Sequence, residues 1–130
     1  MSQNYSIRSE KRDGIEIVTL YETKDTYAKI MPAWGNNCIG FHVQGEPIIE
    51  PVSFETIRQR PTSYGIPILF PFPNRIRDGK FCFRGKWYTV EPHRHGFVRD
   101  KRWNVDAMGA SDKEGAWMRS SLDFDKLNPA

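Results

Sequence analysis

The chain has 130 residues, enough for one domain that buries its own core, and its 38% hydrophobic and 27% charged content is that of a soluble globular protein. Its 19 Lys and Arg are interspersed with 16 Asp and Glu, leaving a net charge of +3 and none of the basic blocks that mark a nucleic-acid partner. Residues 1–12 lack the apolar core of a signal peptide and no run is long enough to span a bilayer, so the expected location is the cytoplasm, with no membrane partner.

An aromatic content of 13% with 9 prolines points to β-structure rather than a helical bundle. Ile15, Ile17, Val18 and Leu20 follow the turn signal Asp13-Gly14, and residues 27–31 follow Lys24-Asp25; together they predict an opening β-hairpin. Pro32 and Gly35 close it. The alternation of Ile39, Phe41 and Val43 with Cys38, Gly40 and His42 predicts a strand with one apolar face, placing His42 on the opposite, sheet-surface face. Beyond Gln44-Gly45-Glu46, the run Pro47-Ile48-Ile49 predicts an edge strand because proline opens it. Ser53, Glu55 and Thr56 start a short helix or loop that Pro61 stops, with Arg58 and Arg60 as solvated surface charges.

Pro67, Pro71 and Pro73 each remove a backbone donor, so residues 66–72 predict a rigid extended wall instead of a helix or central strand. Asp78-Gly79 is a turn signal, and residues 80–84 and 86–90 flank Gly85 as a second hairpin. A two-residue loop, Arg84-Gly85, puts Phe81, Phe83, Tyr88 and Val90 on one apolar face and sets Arg75 against Arg94. A three-residue loop sets Arg75 against His95 instead. The first register is preferred, and either brings Arg75 and His95 into one neighbourhood. Residues 103–105 begin another strand, 108–115 read as a loop, 116–124 as a further strand and 123–130 as an irregular end. Strands at this rhythm predict an all-β, antiparallel sandwich.

Cys38 and Cys82 fit neither a disulfide framework nor a zinc motif and are expected to be reduced. His42, His93 and His95 lack the spacing of a metalloprotease helix, so no metal is expected. The residue types near the centre suit a polyhydroxylated ligand. A ring among Phe70, Phe72, Phe97 and Trp103 covers the C–H face of a sugar, while Asn74, Arg75 and His95 bind its hydroxyls. By residue type alone the alternative stays open that Arg75 caps a turn and His95 is a structural histidine.

Three stretches occur in order: Gly65-Ile66-Pro67-Ile68-Leu69-Phe70-Pro71-Phe72-Pro73-Asn74-Arg75-Ile76; Gly79-Lys80-Phe81-Cys82-Phe83-Arg84-Gly85 with Tyr88 and Val90 beyond; and His95-Gly96-Phe97 followed by Trp103. In that order they resemble the aldose 1-epimerase (galactose mutarotase-like) family. The resemblance implies a galactose mutarotase-like supersandwich of antiparallel sheets, with residues 1–130 as a single partial domain from its N-terminal portion. It implies interconversion of the α and β anomers of a monosaccharide, without a cofactor. Asn74 and Arg75 match the substrate-binding pair, and His95 matches the earlier of two histidines, which binds and orients the sugar in support of catalysis. In the family, the histidine acid and glutamate base come later in the chain than Ala130 does here. The 130 residues alone are therefore expected to be inactive and to self-associate through exposed edges. Glu91, near His95, matches no family motif. Two other readings stand beside the first: a sugar-phosphate epimerase in which Arg99 binds phosphate, against which Asn74-Arg75-Ile76 weighs, and a non-catalytic carbohydrate-binding module.

Overall fold

In the computed structural model, which describes residues 4–123 and 125, the N-terminal part of the chain is an antiparallel meander. Strands β1 (Ser6–Arg12), β2 (Ile15–Thr23), β3 (Thr26–Met31), β4 (Asn37–Val43) and β5 (Glu46–Pro47) hydrogen-bond in that order. The predicted opening hairpin is β2 with β3, but β1 precedes it, a strand that the polar composition of residues 1–12 concealed. Ile7 is its only apolar residue, so it carries no period-two signal. Its pairing with β2, from Ser6 opposite Tyr21 to Arg12 opposite Ile15, is a tertiary effect. Charged residues on such an outer strand also discourage further strand addition.

Strand β4 departs from the expected alternation. Lys29 lies opposite Gly40 and Ile30 opposite Cys38, which leaves Ile39 as the extra residue of a bulge. The bulge places Ile39 and His42 around one hollow with Phe54 and Ile57, instead of on opposite faces. Ile39 joins Ile17, Met31, Phe54 and Ile57 in the buried cluster, and His42 stacks on Tyr27 with ring centroids 4.7 Å apart. Strand β5 has the edge position expected of it but is only two residues long, and Ile48 beyond it is 56% exposed.

Helix α1 (Phe54–Gln59) lies where Ser53 and Pro61 predicted. The Ser53 hydroxyl oxygen accepts from the Thr56 amide at 3.2 Å, satisfying one of the amides a helix start leaves free, and the helix ends at Arg60. Phe54 and Ile57 point into the sheet. Trp34 stacks on Phe54 at 6.4 Å, and the Arg12 guanidinium sits 4.7 Å from the same ring on its own approach. Arg58 is exposed as expected, yet it pairs with Asp13 at 2.7 Å. Ile17 and Val18 are successive residues of β2 and both are buried, so this strand is covered on both faces.

Strands β8 (Asn104–Ser111) and β9 (Gly115–Ser121) form a separate hairpin that packs against β1 and β2. The loop expected over residues 108–115 is corrected here: the turn occupies only residues 112–114, and Met108 to Ser111 pair with Met118 to Gly115. Met-Gly-Ala-Ser has weak β-propensity, but Trp117 opposite Gly109 supplies the packing that holds it extended. Most of the irregular end expected at 123–130, and Phe124 of the last predicted strand, lie outside the described residues.

Candidate functional site

Between α1 and β8 runs the proline-bounded wall, with no regular strand before Lys80, as three missing backbone donors require. Its start is tethered by Asn37, which is buried and whose Nδ2 donates to the carbonyls of Tyr64 at 2.7 Å and Pro61 at 3.2 Å. The Ile66 amide then donates to the Cys38 carbonyl at 2.9 Å. The same β3–β4 turn anchors the segment after the second hairpin. Gly35 N donates to Lys101 O at 2.7 Å, Trp103 N to Pro32 O at 2.9 Å, and the Trp103 indole to Val98 O at 3.2 Å. Nothing in the sequence singles out Asn37, because the second asparagine of Gly35-Asn36-Asn37 reads only as a turn residue.

Strands β6 (Lys80–Phe83) and β7 (Lys86–Thr89) pair from Lys80 opposite Thr89 to Phe83 opposite Lys86. The loop is therefore Arg84-Gly85, with φ of +50° and +76°, the double left-handed turn whose twist matches a hairpin. The register then runs outward past the short 3-10 turn Arg77–Gly79. Val90 N donates to Gly79 O at 2.8 Å, Ile76 N to His93 O at 2.8 Å, and His95 N to Asn74 O at 2.9 Å. Arg75 consequently lies opposite Arg94, as the preferred register requires, and the pairing reaches His95. Phe81 and Tyr88 stack at 5.3 Å, but Phe83 and Trp87 are 56% and 70% exposed, so the hairpin stands clear of the core.

The wall meets the third stretch through a parallel bridge between Phe70 and Gly96. Phe97 N donates to Phe70 O at 2.8 Å, and the Phe72 and Phe97 rings meet edge to face at 5.4 Å. His95 itself has φ of +64°, a conformation that costs energy for a residue with a side chain and recurs at functional sites. Two contacts hold it there: the backbone bond to Asn74 and a 2.9 Å contact between Nδ1 and the Pro73 carbonyl. A carbonyl only accepts, so Nδ1 carries the hydrogen and a neutral His95 keeps an unshared pair on Nε2.

The side chains divide into two hollows. Arg75, Arg94 and Arg99 line an open cleft of about 390 Å³ with Glu91, Pro92 and His93. Phe70 and Trp103 line a separate apolar trough of about 630 Å³ with Ile68, Pro71, Val98 and Leu122. Asn74 and His95 are backbone partners beside the cleft, Arg75 is inside it, and the rings of Phe70 and Trp103 face elsewhere. Glu91 Oε2 lies 3.6 Å from His93 Nδ1, so this carboxylate turns to His93. Arg94 escaped the sequence reading as a site residue, although the hairpin register contained the signal that places it opposite Arg75. Burial pushes the Cys38 thiol up from its ordinary pKa, and its Sγ donates to Gly40 O at 3.4 Å. Among the described residues no group of three or more His, Cys, Asp or Glu is placed to hold a metal ion, and no helix is long and apolar enough to cross a membrane.

The fold has a counterpart among solved structures. A galactose mutarotase-like protein of Clostridium acetobutylicum, known from a crystal structure, is similar with a TM-score of 0.79 and 28% sequence identity. The match covers 97% of this chain and 40% of that one, so the chain spans about two fifths of that protein's length. The aldose 1-epimerase family matches residues 16–126, a span that takes in the meander from β2 onward, the wall, both later hairpins and all three stretches around the cleft. The chain therefore belongs to the aldose 1-epimerase family.

Proposed function

We propose that this chain supplies the sugar-binding part of an aldose 1-epimerase that interconverts the α and β anomers of a monosaccharide. The observation that carries this reading is the fixed tautomer of His95 beside the Asn74–Arg75 pair, with Nδ1 bound to Pro73 and Nε2 left to meet a hydroxyl. An Nε2 lone pair accepts from a sugar hydroxyl while Arg75 donates to a sugar oxygen from the rigid end of the wall. In the reaction a base takes the proton of the anomeric hydroxyl, the bond from the anomeric carbon to the ring oxygen breaks as the aldehyde forms, and an acid protonates the ring oxygen. Rotation of the aldehyde and reclosure on its other face give the second anomer. Asn74, Arg75 and His95 bind and orient the sugar through these steps, while the acid and base, by the family resemblance, come from a part of the fold not in these residues. No step calls for a cofactor.

Alanine at Arg75 is expected to weaken sugar binding by about 1.5–3 kcal/mol, the loss of a charge-assisted hydrogen bond. Alanine at Arg84, in the hairpin turn, is expected to leave it unchanged. Titration calorimetry of the two variants with glucose and galactose makes the comparison, and equal affinities would remove Arg75 from the site. Binding without turnover would select the non-catalytic module.

The same reading includes self-association. The apolar trough with Phe70 at its rim and the outstanding β6–β7 hairpin leave large hydrophobic side chains in water. Light scattering of the purified 130-residue chain is expected to show a mass that rises with concentration. A monomer at every concentration would refute it.

A further inference from the structure

The hollow that the Ile39 bulge opens beside α1 has a volume of about 120 Å³ and shares no lining residue with the sugar cleft or the apolar trough. Directly opposed residues share a face of a sheet, as do alternate residues of a strand, so the registers put Arg12, Ile17, Tyr27, Lys29 and His42 on one face of the meander. Phe54 and Ile57 of α1 pack against that face, and with Ile17 and Ile39 they form a buried apolar floor. Gly40, opposite Lys29, also lines the hollow and has no side chain to fill it. The charges are placed by rings of the same lining: the Arg12 guanidinium lies 4.7 Å from the Phe54 ring and the Lys29 ammonium 5.7 Å from the Tyr27 ring. Among the described residues neither cation has a carboxylate within ion-pair distance, and Glu10, the one acid of the lining, pairs with Arg8 at 3.4 Å. His42 Nδ1 is shielded from solvent without a partner there, which leaves Nε2 as the ring nitrogen open to a ligand. A buried N–H without an acceptor is the costlier orphan, so the hydrogen of a neutral His42 belongs on Nε2.

We propose that this hollow is a second binding site, separate from the sugar cleft, for a small apolar carboxylate such as benzoate. An apolar cavity of about 150 Å³ holds one benzene ring, so a hollow of this size admits a single small ring or a short branched chain. The apolar body rests on Ile17, Ile39, Phe54 and Ile57, and the carboxylate meets Arg12, Lys29 and the Nε2 hydrogen of His42. The combination selects for both halves of the ligand. An uncharged ring leaves the two cations without a counter-ion, and a carboxylate without an apolar body leaves the floor empty. The inference goes beyond the proposed function and stands or falls separately from it.

Ligand-observed NMR titration of the 130-residue chain with benzoate, benzyl alcohol and acetate tests this, repeated at raised salt. Benzoate is expected to bind saturably and about three-fold or more tightly than benzyl alcohol, with a margin that shrinks as salt rises, while acetate shows no saturation over the same range. Replacing Arg12 and Lys29 together by Gln is expected to erase the margin over benzyl alcohol, and Lys113→Gln, in the β8–β9 turn, to keep it. Gly40→Val is expected to abolish benzoate binding by filling the hollow. A Cβ at Gly40 would stand in ordinary contact with Lys29 at 3.6 Å, and circular dichroism checks that the strand still forms. The two charge substitutions do not touch the buried floor, so they keep the test decisive if Gly40→Val fails to fold. Glucose and galactose are expected not to displace benzoate. No saturable benzoate binding overturns the site, as does equal binding of benzyl alcohol, a margin that survives the double substitution, or displacement of benzoate by either sugar.

Discussion

Polarimetric decay of α-glucose and of α-galactose is expected to run at its uncatalysed rate in the presence of the purified 130-residue chain. Positioned acid and base groups typically contribute about 10² to 10⁴-fold each, and the described residues around the cleft supply binding groups rather than such a pair. His95 has one ring nitrogen committed to Pro73, and Glu91 is turned to His93. Arg75, Arg94 and Arg99 offer hydrogen-bond donors and no acceptor, so they bind oxygens and do not serve as the base. Orientation of the sugar does not open its ring. Rapid catalysed decay would overturn this expectation and direct attention to His95 and Glu91 as the pair, to be separated by His95→Ala and Glu91→Gln.

Alanine at Gly96 is expected to cost on the order of 3 kcal/mol, at the upper end of single substitutions. Gly96 has φ of +72°, and a Cβ there would collide with the Phe70 carbonyl. Relief of the collision moves the wall away from the His95–Phe97 turn. That movement breaks the Phe97-to-Phe70 hydrogen bond and parts the Phe72 and Phe97 rings. Gly85 is the control, since it has φ of +76° but open space where a Cβ would stand, so alanine there is expected to cost only about 1 kcal/mol. Urea unfolding of both variants measures the difference. Equal losses would show that the wall and the histidine turn are not held together at Gly96.

Several features of the chain are local, and these the sequence determined by itself. Asn74, Arg75 and His95 were brought to one end of one hairpin by the turn residues Arg84 and Gly85, because a two-residue loop of this kind fixes the register of everything paired beyond it. The wall was legible in its prolines and α1 in Ser53 and Pro61, since a missing donor and a capping oxygen act within a few residues of themselves. Tertiary structure alone decided the rest. Strand β1 and the second half of β8 have no apolar alternation of their own and extend because β2 and β9 offer them backbone partners. The bulge at Ile39 reverses the faces of β4, an insertion that no periodicity announces because both parities remain apolar enough to bury. Whether Arg99 reaches Arg75 and Arg94 depends on the hydrogen bonds that Gly35 and Pro32 make to the 98–103 segment, contacts between residues too far apart in sequence for composition or spacing to report them.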